Sequence, residues 1–206
     1  MASTKAFSSQ VMVLWLLSYY YSQEVNNKLL TLDDIKLLKS IPDSIKIQKD
    51  IHLYIKKISK NYLDGHGFFF IGRDVFYPLA LEGALKLKEI TYLHATGYPS
   101  GEMKHGPIAL ADEGLYTIAL VSDNLLFDKT KSNIEELHTR NSKITTLSSN
   151  IISEDYEYLK ISKNQHYMSD FFEMIYVLQL FSLEVCNELG YDVDMPKNLA
   201  KSVTVE

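Results

Sequence analysis

One cysteine, Cys186, stands alone in the sequence. No internal disulfide and no multi-cysteine metal site can be built from it. It lies in a long apolar segment with helical spacing, which predicts a buried structural thiol rather than a nucleophile. Turn formers are scarce too: nine glycines and five prolines among 206 residues argue against a turn-dense all-β fold. Basic clusters are missing. Lys and Arg number 21 against 26 Asp and Glu, a net charge of −5, and the densest basic spot is Lys56-Lys57 with Lys60. A nucleic-acid surface needs clustered cations to replace phosphate counterions, so no nucleic-acid partner is expected. The apolar run from Val11 to Leu17 is too short to span a bilayer. Only Lys5 precedes it, and the bulky Tyr19-Tyr20-Tyr21 follows where a signal peptide would place small residues. Neither membrane insertion nor export is predicted; the mild acidity suits a cytoplasmic protein.

What is present is ordinary globular composition, 46% apolar and 23% charged, which excludes wholesale disorder. The length suits one α/β domain with additions and is too short for two full catalytic domains. Residues Ser3 to Gln23 read as a helix with Ser3 or Thr4 as N-cap. It is apolar on all sides, which calls for burial against several neighbours and hints at one that the rest of the chain does not supply. Thr31 with Asp33 and Asp34 opens a second helix, and Pro42 a third that runs to about Tyr62. The pattern then changes. Gly67–Gly72 reads as a buried strand, and Leu115–Val121, Lys143–Leu147 and Tyr158–Ile161 as further strands. Helices over Tyr77–Leu93, Ser132–Asn141 and Tyr167–Leu189 alternate with them, the last stopped by Gly190. Strands separated by helices predict a mainly parallel sheet covered on both faces.

Between residues 72 and 112 the residue types carry chemistry. Leu79, Gly83, Leu87 and Ile90 mark the core face of one helix. Glu82, Lys86, Glu89 and Leu93 form a second stripe, with two carboxylates flanking one ammonium. Spacing alone reads this as a surface ion pair worth a few tenths of a kcal/mol; the functional reading is a general acid/base group tuned by its neighbours. His105, in Ser100-Gly101-Glu102-Met103-Lys104-His105-Gly106-Pro107, falls in a loop. It would suit proton transfer if it faced a pocket. Gly72-Arg73-Asp74 falls where α/β folds place ligands, beyond the carboxyl end of a strand.

The stretch from Tyr77 to Ile90, the run from Gly101 to Pro107 and the ending Pro196-Lys197-Asn198-Leu199-Ala200-Lys201-Ser202-Val203-Thr204-Val205-Glu206 closely resemble the isomerase part of the glucosamine-6-phosphate synthases. The opening Ala2-Ser3-Thr4-Lys5-Ala6-Phe7 is similar to the end of that family's first sugar-isomerase (SIS) subdomain. The resemblance implies an SIS-type α/β/α sandwich preceded by N-terminal helices. Residues 1–64 would be the end of the first subdomain and a linker, 65–190 the second subdomain, and 191–206 a catalytic tail. It also implies conversion of fructose 6-phosphate and ammonia into glucosamine 6-phosphate, without metal or organic cofactor. Lys201 then matches the Schiff-base lysine and Glu89 the base that moves a proton between carbons 1 and 2. His105 matches the ring-opening histidine, which acts across the interface of a homodimer, and Lys86 a lysine beside the base. Ala200 matches a backbone contact to the sugar, Ser3 a pocket-lining residue and Glu82 an orienting group.

The departures are specific. The family's Ser-rich phosphate loop and its glutaminase domain find no counterpart here, so the chain is expected to be inactive alone. Asp74 replaces a usual Gly, and Lys197 a usual Arg, losing the bidentate fork. Two alternatives remain: a non-catalytic sugar-phosphate-binding module of the same fold, and a related enzyme that removes ammonia.

Overall fold

The computed structural model describes residues 3–46 and 49–197. Helix α1 covers Thr4–Asn26. Helix α2, Leu32–Ser44, begins with a capping box: the Asp34 N–H donates to the Thr31 hydroxyl at 3.1 Å, and the Thr31 N–H donates to the Asp34 carboxylate at 2.9 Å. Pro42 does not start a third helix as expected. It sits in the last turn of α2, where its missing N–H removes one hydrogen bond close to an end that follows two residues later. Helix α3 is confined to Lys49–Ile58 and buries Ile51, Ile55 and Ile58, one face at a spacing of four and three. A 3-10 turn, Ser59–Tyr62, leads into the sheet.

Among the described residues the sheet has five parallel strands: β1 Gly67–Gly72, β2 Ala95–Pro99, β3 Leu115–Leu120, β4 Lys143–Ser148 and β5 Glu157–Lys160. Their order is β2-β1-β3-β4-β5. Helix α4, Phe76–Thr91, crosses from β1 to β2, helix α5, Phe127–His138, from β3 to β4, and helix α6, Tyr167–Glu188, closes the fold. Side chains alternate along each strand, so the sheet separates two cores. Phe68, Phe70, Ile118 and Leu147 pack under α3, α4 and α6; Phe69, Ile71, Ala119 and Ile144 pack against α5 and Met103. The result is the three-layer α/β/α sandwich that the alternation of elements predicts.

Strand β2 was not legible. It is a five-residue edge strand containing both Gly97 and Pro99, residues that usually punctuate a strand. Here Gly97 has a packing role. A Cβ on it would lie 2.7 Å from the Leu81 backbone of α4, so only glycine lets the helix approach the edge strand. Gly83 allows a similar approach on the other side of α4, where a Cβ would meet Phe70 at 2.9 Å and Leu178 at 3.0 Å. Helix α5 starts five residues earlier than the pattern suggests, and β4 reaches β5 through residues 149–156 without a helix.

Helix α1 rests on the sandwich along one side only. Phe7, Val11, Met12 and Trp15 pack against the main core, and the Trp15 ring stacks on His166 with centroids 5.8 Å apart. Val13, Leu14, Leu17, Tyr20 and Tyr21 are exposed, and no residue of α1 is fully buried. The all-round apolarity is therefore only partly satisfied within the described residues.

Candidate active site

The carboxyl end of β1 turns into α4 through Arg73, Asp74 and Val75. Asp74 adopts a left-handed backbone, φ 52°, and its carboxylate accepts a hydrogen bond from the Val75 N–H at 2.8 Å. Asp is among the few side chains that tolerate this conformation, which explains why it can stand where glycine is the easier choice.

Helix α4 turns Leu79, Gly83, Leu87 and Ile90 into the core, as their spacing predicts. The second stripe is where the surface ion-pair reading fails. The Lys86 side chain is 5% exposed, Glu82 12% and Glu89 22%. The Lys86 ammonium donates to Glu89 Oε2 at 2.8 Å and lies 3.5 Å from Glu82 Oε1. The helical period places these groups on one stripe, but it cannot tell that α6 packs beside α4 and lines a cavity with the lysine. Lys86 and Ile90 line a largely apolar cavity of about 380 Å³, together with Thr4, His52, Tyr176 and Gln179.

The two carboxylates are not equivalent. Glu82 Oε1 is buried and has no hydrogen-bond partner among the described residues. Burial pushes the Glu82 carboxyl above the usual range; Lys86 opposes this and Glu89 adds to it. Lys86 is thus hydrogen-bonded to Glu89 and only in long contact with Glu82. A carboxyl raised in the folded state binds more protons there than in the unfolded chain. Its contribution is most favourable below the unfolded value, and stability falls as pH rises through the folded one. In Glu82→Gln the thermal midpoint is therefore expected to fall less than in the parent as pH rises from about 4.5. An unchanged slope in a melting series across that range would refute the assignment.

The other expected site residues lie elsewhere. His105 ends a 3-10 turn, Ser100–His105, that follows β2. Its side chain is 76% exposed and stands 3.8 Å from Glu102; among the described residues it makes no ion pair or hydrogen bond with the α4 carboxylates. Ser3 precedes α1 at the N-cap position without a capping hydrogen bond, and it is Thr4, not Ser3, that lines the cavity. Ala200 and Lys201 lie outside the described residues. Cys186 is buried, burial raises its thiol, and its Sγ donates to the Ile90 carbonyl at 3.1 Å, in keeping with a structural role. Sequence reading missed His52, whose Nε2 is 2.7 Å from Glu184 Oε1 at the cavity. The partners are far apart in sequence, and no local pattern joins them.

The SIS domain family matches residues 61–186, from the turn before β1 into the last turn of α6. The chain belongs to the SIS domain family. Its sheet and α4 lie within the SIS match, as does α6 as far as Cys186. Over its full length this SIS chain is 55% identical to the glutamine–fructose-6-phosphate aminotransferase (isomerizing) of Campylobacter jejuni and 57% identical to that of Helicobacter pylori. It covers 34% and 35% of those proteins, so it spans about a third of the length of the curated relatives it matches. A solved structure, the C-terminal domain of the Francisella tularensis aminotransferase, superposes with a TM-score of 0.85 at 36% identity. That match covers 94% of this chain and 56% of the other. A glucosamine-6-phosphate deaminase from Thermotoga maritima shares the fold, with a TM-score of 0.69 at 21% identity. No helix among the described residues is long and apolar enough to cross a membrane.

Proposed function

We propose that the chain carries the isomerase and amination chemistry by which fructose 6-phosphate and ammonia become glucosamine 6-phosphate. The observation that carries this reading is the buried Lys86 set between Glu82 and Glu89 on the wall of a cavity, within a chain so similar to aminotransferases of that name. A purely structural helix stripe has no need to bury an ammonium with two carboxylates, because that desolvation is costly.

In this mechanism His105, from the second subunit of a homodimer, opens the sugar ring. The Lys201 amine condenses with the C2 ketone, forming an imine and releasing water. Ammonia replaces the lysine nitrogen on C2 and frees the amine. Glu89 removes a proton from C1 and returns it to C2, so C1 becomes the aldehyde as C2 becomes the amine-bearing carbon. The exchange is internal and needs no outside oxidant. Lys86 holds the Glu89 carboxylate through the hydrogen bond of 2.8 Å, and Glu82 orients Lys86. Ser3 and Ala200 contribute sugar contacts. Residues 1–64 serve as the end of a preceding subdomain and linker, 65–190 as the second SIS subdomain, and 191–206 as the tail that brings in Lys201. The phosphate cradle and the glutaminase lie outside this stretch, so the chain by itself is inactive. A phosphorylated sugar substrate goes with a cytoplasmic location.

The test is a chimera in which this chain replaces the matching third of the Campylobacter jejuni relative. It is expected to form glucosamine 6-phosphate from fructose 6-phosphate and glutamine. A folded chimera that binds the sugar phosphate without turning it over would favour the binding-module alternative.

A further inference from the structure

We propose that Arg73 and the ion pair Lys104–Glu136 brace the 3-10 turn Ser100–His105 against α5, and so fix how His105 stands out from the fold. The inference rests on the reading of His105 as the ring-opening group given above. It gives a role to Arg73, which sits at the carboxyl end of β1 in the run Gly72-Arg73-Asp74 and which that mechanism leaves idle.

His105 depends on such support because little of it is held directly. Its turn is 3-10, a form with poorer hydrogen-bond geometry than the α-helix. Among the described residues its side chain approaches one charged partner, Glu102, at 3.8 Å, and both are exposed. The chain leaves the turn at Gly106, φ 146°, a backbone that side chains rarely adopt. The turn is nevertheless anchored below. Ser100 and Met103 are buried, and Met103 joins the core cluster that holds Ile134 and Leu137 of α5.

Two polar ties flank that anchor. The Lys104 ammonium is 2.8 Å from Glu136 Oε1. The second oxygen, Glu136 Oε2, is buried without a hydrogen-bond partner among the described residues. Lys104 is therefore the cation that compensates a carboxylate largely withdrawn from water. Asn133 stands one turn before Glu136 on α5. Its side-chain oxygen accepts a hydrogen bond from Arg73 Nε at 3.1 Å. The Arg73 guanidinium also lies against Gly101, where a Cβ would come within 2.6 Å of a terminal nitrogen. Arg73 thus joins the loop after β1 to α5 and to the start of the turn. Lys104 joins the end of the turn to the same helix. His105 follows Lys104 directly, so these ties set the position of its backbone.

Hydrogen exchange on the 206-residue chain reads the brace directly. In Lys104→Ala the amides of residues 100–106 are expected to exchange about two- to five-fold faster, as for the loss of one partly exposed ion pair. Strands β1 and β4 should be unchanged, and Lys104→Arg should keep the parent rates. Arg73→Met should speed the same amides. Parent rates in Lys104→Ala overturn the brace, and parent rates in Arg73→Met overturn the part given to Arg73. In the Campylobacter chimera Lys104→Ala should lower kcat by a similar factor with little change in KM, and Lys104→Arg should restore it. Sugar rings also open unaided, so His105→Ala should keep a slow turnover. In that background Lys104→Ala should have no further effect, because the brace acts through His105. Faster exchange with unchanged kcat, or an equal loss in the His105→Ala background, overturns the positioning role. A parent chimera that folds but makes no product counts against the proposed function, while the exchange rates still decide the brace.

Discussion

Glu89→Gln in the chimera is expected to lower glucosamine 6-phosphate formation by about 10²- to 10⁴-fold, the range typical of losing a positioned general base. Glutamine has nearly the shape of glutamate and can still accept the hydrogen bond that Lys86 donates at 2.8 Å. What it cannot do is take a proton from C1. The effect should therefore fall on kcat, with KM for fructose 6-phosphate and the melting temperature close to the parent values. Glu89→Asp is a useful companion. It keeps the base but withdraws it by one methylene from Lys86, so it should retain part of the rate. Full turnover in Glu89→Gln would remove Glu89 from the proton transfer and leave the buried cluster as a structural feature.

The second large effect concerns stability. Lys86→Met keeps an unbranched side chain, one atom shorter, but leaves Glu82 and Glu89 facing each other with no cation between them. Breaking a buried pair from one side costs about 3 kcal/mol, because a charge is left without a partner. Glu89 is the more exposed carboxylate and relaxes toward water, which places the expectation at the lower end of such losses. A surface ion pair would cost only about 0.3–0.5 kcal/mol. Urea unfolding of the 206-residue chain separates the two. Glu82→Gln combined with Lys86→Met should recover part of the loss, since it removes the carboxylate whose oxygen is already unpartnered. A loss near the surface value would mean that the cluster is solvated.

The cluster also marks the limit of what could be read beforehand. Offsets of four and three placed Glu82, Lys86 and Glu89 on one stripe of α4, because helical period is a local property. Whether the stripe met water depended on α6, whose first residue lies some 80 positions downstream, and spacing carries no information about that. The same division runs through the fold. Long periodic elements such as α6, and glycine-bounded strands such as β1, were legible from their own residues. β2 was not, since Gly97 and Pro99 read as a turn until the close approach of α4 explains the glycine. The end of α2 was misjudged because a proline in a last turn and one in a first turn look alike in sequence. Asp74 was legible as an oddity, and its left-handed backbone gives the reason. The pairing of His52 with Glu184 and the stacking of Lys197 on Tyr92 join residues far apart along the chain. Only the folded structure brings them together.

The tail motif raises the sharpest question, because two lysines compete for the role of imine-forming amine. Lys86 is buried beside the cavity, but its ammonium is already engaged by two carboxylates. Lys201 belongs to the tail motif that resembles the family's ending. Reduction of the chimera with borohydride in the presence of fructose 6-phosphate, followed by peptide mass analysis, distinguishes them. The account predicts a reduced sugar-phosphate adduct on Lys201 that disappears in Lys201→Ala; an adduct on Lys86, or full turnover in Lys201→Ala with no adduct anywhere in the chain, would contradict it.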